Sequence, residues 1–254
     1  MKNKNLIFST TSEAKLTIIG VGPGDPSLLT LAAVQAIQDS SVVAYPISKE
    51  GQISLAANIA SRWISDEKIQ IPLVFPMVVE VEKLRKAWRY AGDQLAKKVA
   101  NGHQVVFLCQ GDVSLFATSS YLLLDIKSNH PKCPIKVIPG INSFSAAAAI
   151  AHLPLAIHQE QLLIMPTPEH EMALETLLKE AFSAGRVLVL LKLGKRWPWV
   201  RDVLARMNLL EDALIAQRIG FPDEKIIKSS EMNRDECPYF SLLIIRQSWP
   251  ALIN

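Results

Sequence analysis

Gln110-Gly111-Asp112 interrupts the apolar run 105–109 (VVFLC), and the three residue types suit a ligand. Glycine lets a ligand approach the backbone closely, and an aspartate accepts hydrogen bonds from hydroxyl or ammonium groups. The same residues equally suit a plain strand-to-helix turn, with Asp112 or a serine as helix cap. A second glycine-rich stretch, Gly20-Val21-Gly22-Pro23-Gly24-Asp25-Pro26, follows the apolar run 16–19. Strand, glycine loop and helix in that order are the pattern of a dinucleotide site, but Pro23 and Pro26 fix the backbone and delete amide donors. The next strand ends at Tyr45-Pro46, without the acidic residue that would hold a ribose about 20 residues on. Hydride transfer from a nicotinamide is therefore a weak alternative. A third strand end carries Pro139-Gly140-Ile141-Asn142-Ser143-Phe144.

Other constellations carry less. Cys109, Cys133 and Cys237 are odd in number and widely spaced, which fits reduced thiols better than a disulfide framework. There is no CxxC or HxxxH pairing, so no metal site is expected, and the five histidines, His103, His130, His152, His158 and His170, read as surface or loop residues. A composition of 49% hydrophobic and 20% charged residues in 254 is that of an ordinary globular protein. A net charge of +3 is too small to argue for nucleic acid and is equally suited to an acidic small molecule. Residues 1–14 contain only the short apolar run Leu6-Ile7-Phe8, too little for a signal-peptide core, and are expected to form a flexible tail. No run is long enough to span a membrane, so a cytoplasmic protein with neither membrane nor nucleic-acid partners is expected.

The elements that must position these residues follow from periodicity. Strands are expected at 16–19, 41–45, 69–71, 105–109 and 135–138, and helices at 27–38, 54–64 and 80–100, from about residue 115, and at 145–151. The helix after Asp112 would include Leu115, Phe116, Leu122 and Leu123 on its apolar positions. The helix at 80–100 carries Lys83, Arg85, Lys86, Arg89, Lys97 and Lys98, a pattern usual for a solvated face. Regular alternation of strand and helix argues for an α/β domain over 15–153 with a mostly parallel sheet. Beyond a hinge at 153–161, strands at 162–165, 187–193, 213–217, 224–229 and 240–246 surround helices at 169–182 and 197–207. The last two strands have no helix between them, which implies antiparallel pairing and a smaller α/β domain, 154–254, with a mixed sheet.

Five segments in register, GVGPGDP at 20–26, GD at 111–112, PGINSF at 139–144, LPL at 153–155 and RIGFPDEKI at 218–226, resemble the tetrapyrrole (corrin and porphyrin) methyltransferases. The resemblance covers nearly everything from Leu16 to Arg246. Within the family, YPISKEGQISLAANIA at 45–60, FPM at 75–77, PGINSFSAAAA at 139–149, LLKLGK at 190–195 and YFSLLII at 239–245 are similar to the members that methylate the C20 bridge carbon of precorrin-2. The chain departs from the family where Val113 follows Asp112 in place of proline, and where Phe116 stands at a position often held by tyrosine.

The resemblance implies two α/β domains with a ligand cleft between them, S-adenosylmethionine as cofactor with S-adenosylhomocysteine as its product, a tetrapyrrole substrate and a homodimer. Carried over position by position, it implies cofactor contacts at Pro23, Gln110, Gly111, Asp112, Leu115, Asn142, Ser143, Leu193 and Gly220, with Lys192 as an alternative to Leu193. Methyl transfer from a sulfonium needs in-line placement more than a protein nucleophile, which accounts for the absence of a Ser-His-Asp constellation. The bridge carbon must still lose a proton, and Asp25 is the first carboxylate to test for that role; capping the helix near Ser27 is its alternative. The substrate's carboxylates call for cations, for which Arg85, Arg89, Lys195 and Arg196 are candidates. Trp197 and Trp199 could stack on a flat ring or pack in the core.

Overall fold

A computed structural model of the chain describes residues 13–235 and 237–249. Most of the expected tail, residues 1–12, lies outside the described residues. The chain divides into two compact units, one of residues up to Gly22 with Pro26–Gly140, the other of Pro23–Asp25 with the residues from Ile141 onward. The division thus falls between Gly140 and Ile141, ahead of residues 153 and 154.

The first unit is built from β1 (Leu16–Gly20), α1 (Leu31–Asp39), β2 (Val42–Ile47), α2 (Leu55–Ala60), β3 (Ile69–Val74), α3 (Val81–Ala100), β4 (Val105–Cys109), α4 (Thr118–Asn129) and β5 (Ile135–Ile138). Its five strands are ordered β3-β2-β4-β1-β5 and every pairing is parallel. Alternation sorts the strand residues onto two faces. Leu16, Ile18, Val105 and Phe107 pack with Leu95 and Val99 of α3 and Leu122 and Ile126 of α4, while Ile19, Val43, Val106 and Leu108 pack with Ala33 and Ile37 of α1 and Ala56 and Ile59 of α2. A parallel sheet covered on both faces explains why β1 and β4 are apolar at nearly every position.

The helix expected from residue 115 starts instead at Thr118. Phe116 has a left-handed backbone (φ 51°) that a helix cannot continue, and the hydroxyls of Ser119 and Ser120 each donate to the Val113 carbonyl at 3.1 Å, setting the first turn three residues later.

The second unit holds α5 (Ser143–Ile150), β6 (Gln161–Pro166), α6 (Glu171–Ser183), β7 (Arg186–Leu191), α7 (Trp197–Arg206), β8 (Ala213–Gln217), β9 (Lys225–Lys228) and β10 (Ser241–Ile245). Its sheet order is β6-β7-β10-β8-β9. β6 and β7 are parallel and the other three pairings antiparallel. The expected antiparallel pairing of the last two strands is corrected: β9 and β10 both pair with β8, one on each side, and not with each other. α6 and α7 cover one face through Leu174, Leu178, Val200, Val203, Leu204 and the fully buried Trp197. Among the described residues no helix is long and apolar enough to cross a membrane.

Arg246, just past β10, fastens the segment ahead of β6. Its guanidinium is 2.5 and 3.0 Å from the Glu160 carboxylate oxygens and donates to the Pro154 carbonyl at 2.8 Å, and its ring-facing side lies 4.2 Å from the Trp249 ring centre. Arg246 is 4% and Glu160 11% exposed as side chains, so neither charge has water to replace its partner. Burial pushes the Glu160 carboxyl up, but the Arg246 hydrogen bonds, the Ile157 N–H and the Arg246 charge outweigh it, leaving it below the ordinary 4.5. Removing one partner strands a buried charge, so Arg246→Ala should lower unfolding stability by about 3–5 kcal/mol, read from chemical denaturation. A carboxyl lowered on folding stabilises fully above its unfolded value of 4.5, and that contribution fades as pH falls through the lower folded value. Glu160→Gln should therefore flatten the acid limb of a thermal-stability profile below pH 4.5 while leaving its neutral shape unaltered.

Candidate functional site

In an open parallel sheet the ligand edge lies beyond the carboxyl ends of the strands. On the first unit, the ends of β1, β4 and β5 meet there through their backbones. Val21 donates to the Cys109 carbonyl at 2.8 Å, Gly111 to the Gly22 carbonyl at 2.7 Å and Gly22 to the Gly111 carbonyl at 3.2 Å. A Cβ added to Gly20 would lie 2.5 Å from the Gly140 nitrogen and 2.6 Å from the Gly111 oxygen, and one added to Gly140 would lie 2.2 Å from that oxygen. No side chain fits at either position. Gly111 is glycine for a different reason: its φ is +71°, and the space where its Cβ would stand is open, with no atom within 4 Å.

Asp112 ties this junction together. Its Oδ2 accepts from the Gly140 N–H at 2.9 Å, and its Oδ1 accepts from the Ser114 N–H at 2.9 Å and from the Ser114 hydroxyl. The residue is 7% exposed. Burial pushes its carboxyl up, yet the Ser114 side chain and the N–H groups of Ser114, Gly140 and Val113 prevail and hold it below the ordinary aspartate value. The Val113 N–H is a donor that proline would lack. Asp112 is therefore an ionised cross-link between the ends of β4 and β5. Gln110, Gly111 and Leu115 stand half-buried beside it. Cys109 is buried beneath, its thiol pushed up by that burial, and offers no nucleophile.

The second unit has a comparable edge. β7 and β8 run in one sense and β10 in the other, so the ends of β7 and β8 and the start of β10 lie together. Leu193, Gly194 and Lys195 follow β7, Arg218 to Phe221 follow β8, and Tyr239 and Phe240 precede β10. Pro23–Asp25 packs here: a Cβ on Gly24 would lie 2.7 Å from the Gly220 carbonyl carbon, and one on Gly220, whose φ is +82°, 2.4 Å from the Asp25 nitrogen. The structure thus brings Gly24 and Asp25 to Gly220, with Pro23 in the same unit. Leu193 is fully buried within the core, its N–H donating to the Ser241 carbonyl at 3.1 Å and its carbonyl accepting from the Arg196 N–H at 2.9 Å; Lys192 next to it is exposed and left-handed (φ 58°). Asn142 precedes α5 with a side chain that makes no capping hydrogen bond, and Ser143 opens that helix.

The helix expected to begin near Ser27 is a short 3-10 turn, Pro26–Leu28, directly after Asp25; α1 follows it with its own cap, Thr30, whose Oγ1 accepts from the Ala33 N–H at 3.1 Å. Two of the four cations lie on α3 of the first unit and two follow β7 of the second. Arg85 pairs with Glu82 one turn away on the exposed face of α3 (2.7 Å). Arg89 sits eight residues into α3, about 12 Å from its start at 1.5 Å per residue, and is held by Asp125 of α4 at 3.0 Å. Arg196 pairs with Glu169 at 2.6 Å, and Lys195 is exposed beside it. Trp197 is core, its Nε1 donating to the Asn233 carbonyl at 2.8 Å; Trp199 is half-buried against the same core. Among the described residues no three histidine, cysteine, aspartate or glutamate side chains are grouped to hold a metal.

Residue-by-residue reading missed Gly20 and Gly140 as positions of backbone contact, as well as the grouping of Arg218, Phe221, Tyr239 and Phe240. The recurrence of glycine at the end of β1 and just past β4 and β5 was the available signal for the first pair. Nothing local marked the aromatics, since their grouping depends on strand order.

Residues 15–232 match the family of tetrapyrrole (corrin/porphyrin) methylases. The chain is 31% identical over 241 residues to the cobalt-precorrin-2 C(20)-methyltransferase of Salmonella typhimurium, covering 92% of this chain and 97% of that one. It is 29% identical over 246 residues to the precorrin-2 C(20)-methyltransferase of Sinorhizobium sp, covering 94% and 97%. Its fold matches the crystal structure of uroporphyrin-III C-methyl transferase from Thermus thermophilus complexed with S-adenyl homocysteine, with a TM-score of 0.61, 20% identity and coverage of 92% and 97%. From the glycine junction at the first sheet's edge to the turn at Gly220, the chain belongs to the tetrapyrrole (corrin/porphyrin) methylase family.

Proposed function

We propose that this protein is a C-methyltransferase that places a methyl group from S-adenosylmethionine on C20 of precorrin-2 or of its cobalt-containing counterpart, in cobalamin biosynthesis. The observation that carries the reading is the open space at the left-handed Gly111, set on a complete glycine junction, in a chain aligned along nearly its whole length with two C20-methyltransferases. The fold likeness to an enzyme complexed with S-adenyl homocysteine supports the cofactor.

The residues present fit that cofactor. A Cβ at Gly111 would fill the space that a close-lying ligand needs. Asp112, already bonded to Gly140 and Ser114, acts by holding the loop rigid, and Gln110, Gly111 and Leu115 then present their exposed parts to the ligand. When bound, S-adenosylmethionine supplies an activated methyl on a positive sulfur, so the protein's task is alignment, which can be worth about 7–11 kcal/mol of barrier. Asn142 and Ser143 offer an amide side chain and the first N–H groups of α5, and Gly220 holds Gly24 and Asp25 in place by backbone contact. Asp25 is the carboxylate we assign to accept the proton that leaves the methylated carbon. Lys195 lies on the same edge of the second sheet as Gly220 and is our first choice to meet substrate carboxylates; Arg196 beside it is engaged by Glu169 at 2.6 Å. Arg89, engaged by Asp125, we assign to holding α3 against α4. The family resemblance also supports a homodimer acting in the cytoplasm.

Anaerobic incubation with precorrin-2 and methyl-labelled S-adenosylmethionine should yield product labelled at C20, located by NMR; label at another carbon, or none with either metal-free or cobalt substrate, overturns the reading. Gly111→Ala should weaken S-adenosylhomocysteine binding at least about tenfold in calorimetry, because the methyl occupies the ligand's space. Asp25→Asn should slow single-turnover methyl transfer by about a hundredfold, with cofactor affinity retained; an unchanged rate removes Asp25 from the chemistry.

A further inference from the structure

We propose that Phe116, on the loop between β4 and α4, is a substrate-contacting residue of the proposed methyl transfer, its ring packing against the macrocycle of the tetrapyrrole. The inference deepens the methyltransferase reading and rests on it.

The loop runs from Gln110 to Ala117, beyond the carboxyl end of β4, and so lies on the edge where a parallel sheet meets its ligand. Its backbone is held at both ends. At the start, Gly111 exchanges two hydrogen bonds with Gly22, and Asp112 accepts from the Gly140 N–H and from the Ser114 N–H and hydroxyl. At the far end, the Ser119 and Ser120 hydroxyls donate to the Val113 carbonyl, and the Ser120 N–H donates to the Ala117 carbonyl at 3.1 Å. Val113 and Ala117 are buried and Leu115 is half-buried, yet Phe116 between them is 47% exposed.

Exposure in a loop pinned this way does not come from slack chain. The backbone is not relaxed either: the φ of 51° at Phe116 is an outlier for a bulky side chain, whereas glycine adopts it without strain. Strain that surrounding bonds hold in place collects at ligand clamps and active sites. A large apolar ring half in water on the ligand edge gains when a ligand covers it. Two ligands meet in the proposed reaction, and their chemistry divides the loop between them. The ribose and amino-acid parts of the cofactor call for hydrogen-bond partners, such as the Gln110 amide and the backbone at the open Gly111. A phenyl ring offers none and suits the carbon framework of a macrocycle. The adenine of the cofactor is the competing apolar surface, and the experiment separates the two.

The test compares wild type, Phe116→Ala, Phe116→Gly and Phe116→Tyr in three measurements: the Kd of S-adenosylhomocysteine by calorimetry, the thermal midpoint, and the anaerobic KM for precorrin-2, or for its cobalt-containing counterpart where wild type turns over only that form. Phe116→Ala and Phe116→Gly should each raise KM by about three- to tenfold and leave the S-adenosylhomocysteine Kd within about twofold. Phe116→Gly, which relieves the left-handed backbone, should hold or raise the thermal midpoint while still weakening the substrate, a combination that a purely structural ring would not give. Phe116→Tyr, which retains the ring, should keep KM within about twofold. An unchanged KM in both truncations overturns the contact. So does an equal loss of S-adenosylhomocysteine affinity, which assigns the ring to adenine, or a lowered midpoint in Phe116→Gly, which assigns it to loop packing. Titration with uroporphyrin III, followed by its visible absorption, needs no turnover. If wild type methylates neither form of the substrate, the functional reading fails, while weaker uroporphyrin binding by Phe116→Ala still supports a tetrapyrrole contact at Phe116. Equal binding by both, or none by wild type, overturns it.

Discussion

The closeness of three backbones at the carboxyl edge of the first sheet constrains everything around it. With Gly20, Gly111 and Gly140 packed to distances that exclude a Cβ at two of them, the loops leaving β1, β4 and β5 emerge from nearly one point. That closeness lets one carboxylate, Asp112, serve both the turn after β4 and the amide after β5, an amide that would otherwise lack a partner near the sheet. A side chain at Gly20 or Gly140 would push apart two neighbouring strands, with no flexible tip to swing aside. Evolution of ligand preference in such a scaffold has to work through the outer residues of the loops, because the inner ones are fixed by geometry.

Charge is distributed with similar economy. Several arginines that a motif search would offer to an acidic substrate are already engaged: Arg89 by Asp125, Arg206 by Glu171 and Glu175, Arg234 by Asp202 and Arg246 by Glu160. Most of these pairs are at least half-exposed on one side and add little to stability. They do, however, remove long cations from the pool open to a ligand. The modest net charge of +3 gives no hint of that division, which depends on which helix faces which.

The alternating strands, their glycine ends and the mixed character of the second sheet were legible because each is written in local periodicity and local turn chemistry. Less legible were features set across long sequence distances. The start of α4 depends on Ser119 and Ser120 reaching back to the Val113 carbonyl and on the left-handed Phe116, so apolar spacing alone extended the helix too far. The bond from the Gly140 N–H to Asp112 was hidden because the two residues are 28 positions apart. Leu193 was carried over by motif alignment, which does not distinguish a backbone contact from a side-chain one; only the fold shows that the leucine itself is core. The aromatic cluster was hidden for the same reason, since Phe221 and Phe240 meet only after β10 is placed beside β8.

That placement also bears on how the chain is made. β10 is the last strand in chain order yet lies in the middle of its sheet, with β6 and β7 on one side and β8 and β9 on the other. During synthesis the two halves have no strand to join them until β10 emerges, and their facing edges stay open to mispairing. Arg246, directly after that strand, then engages Glu160 and Pro154. Closure of the sheet and anchoring of the segment before β6 thus depend on one stretch of chain, β10 and the arginine that follows it.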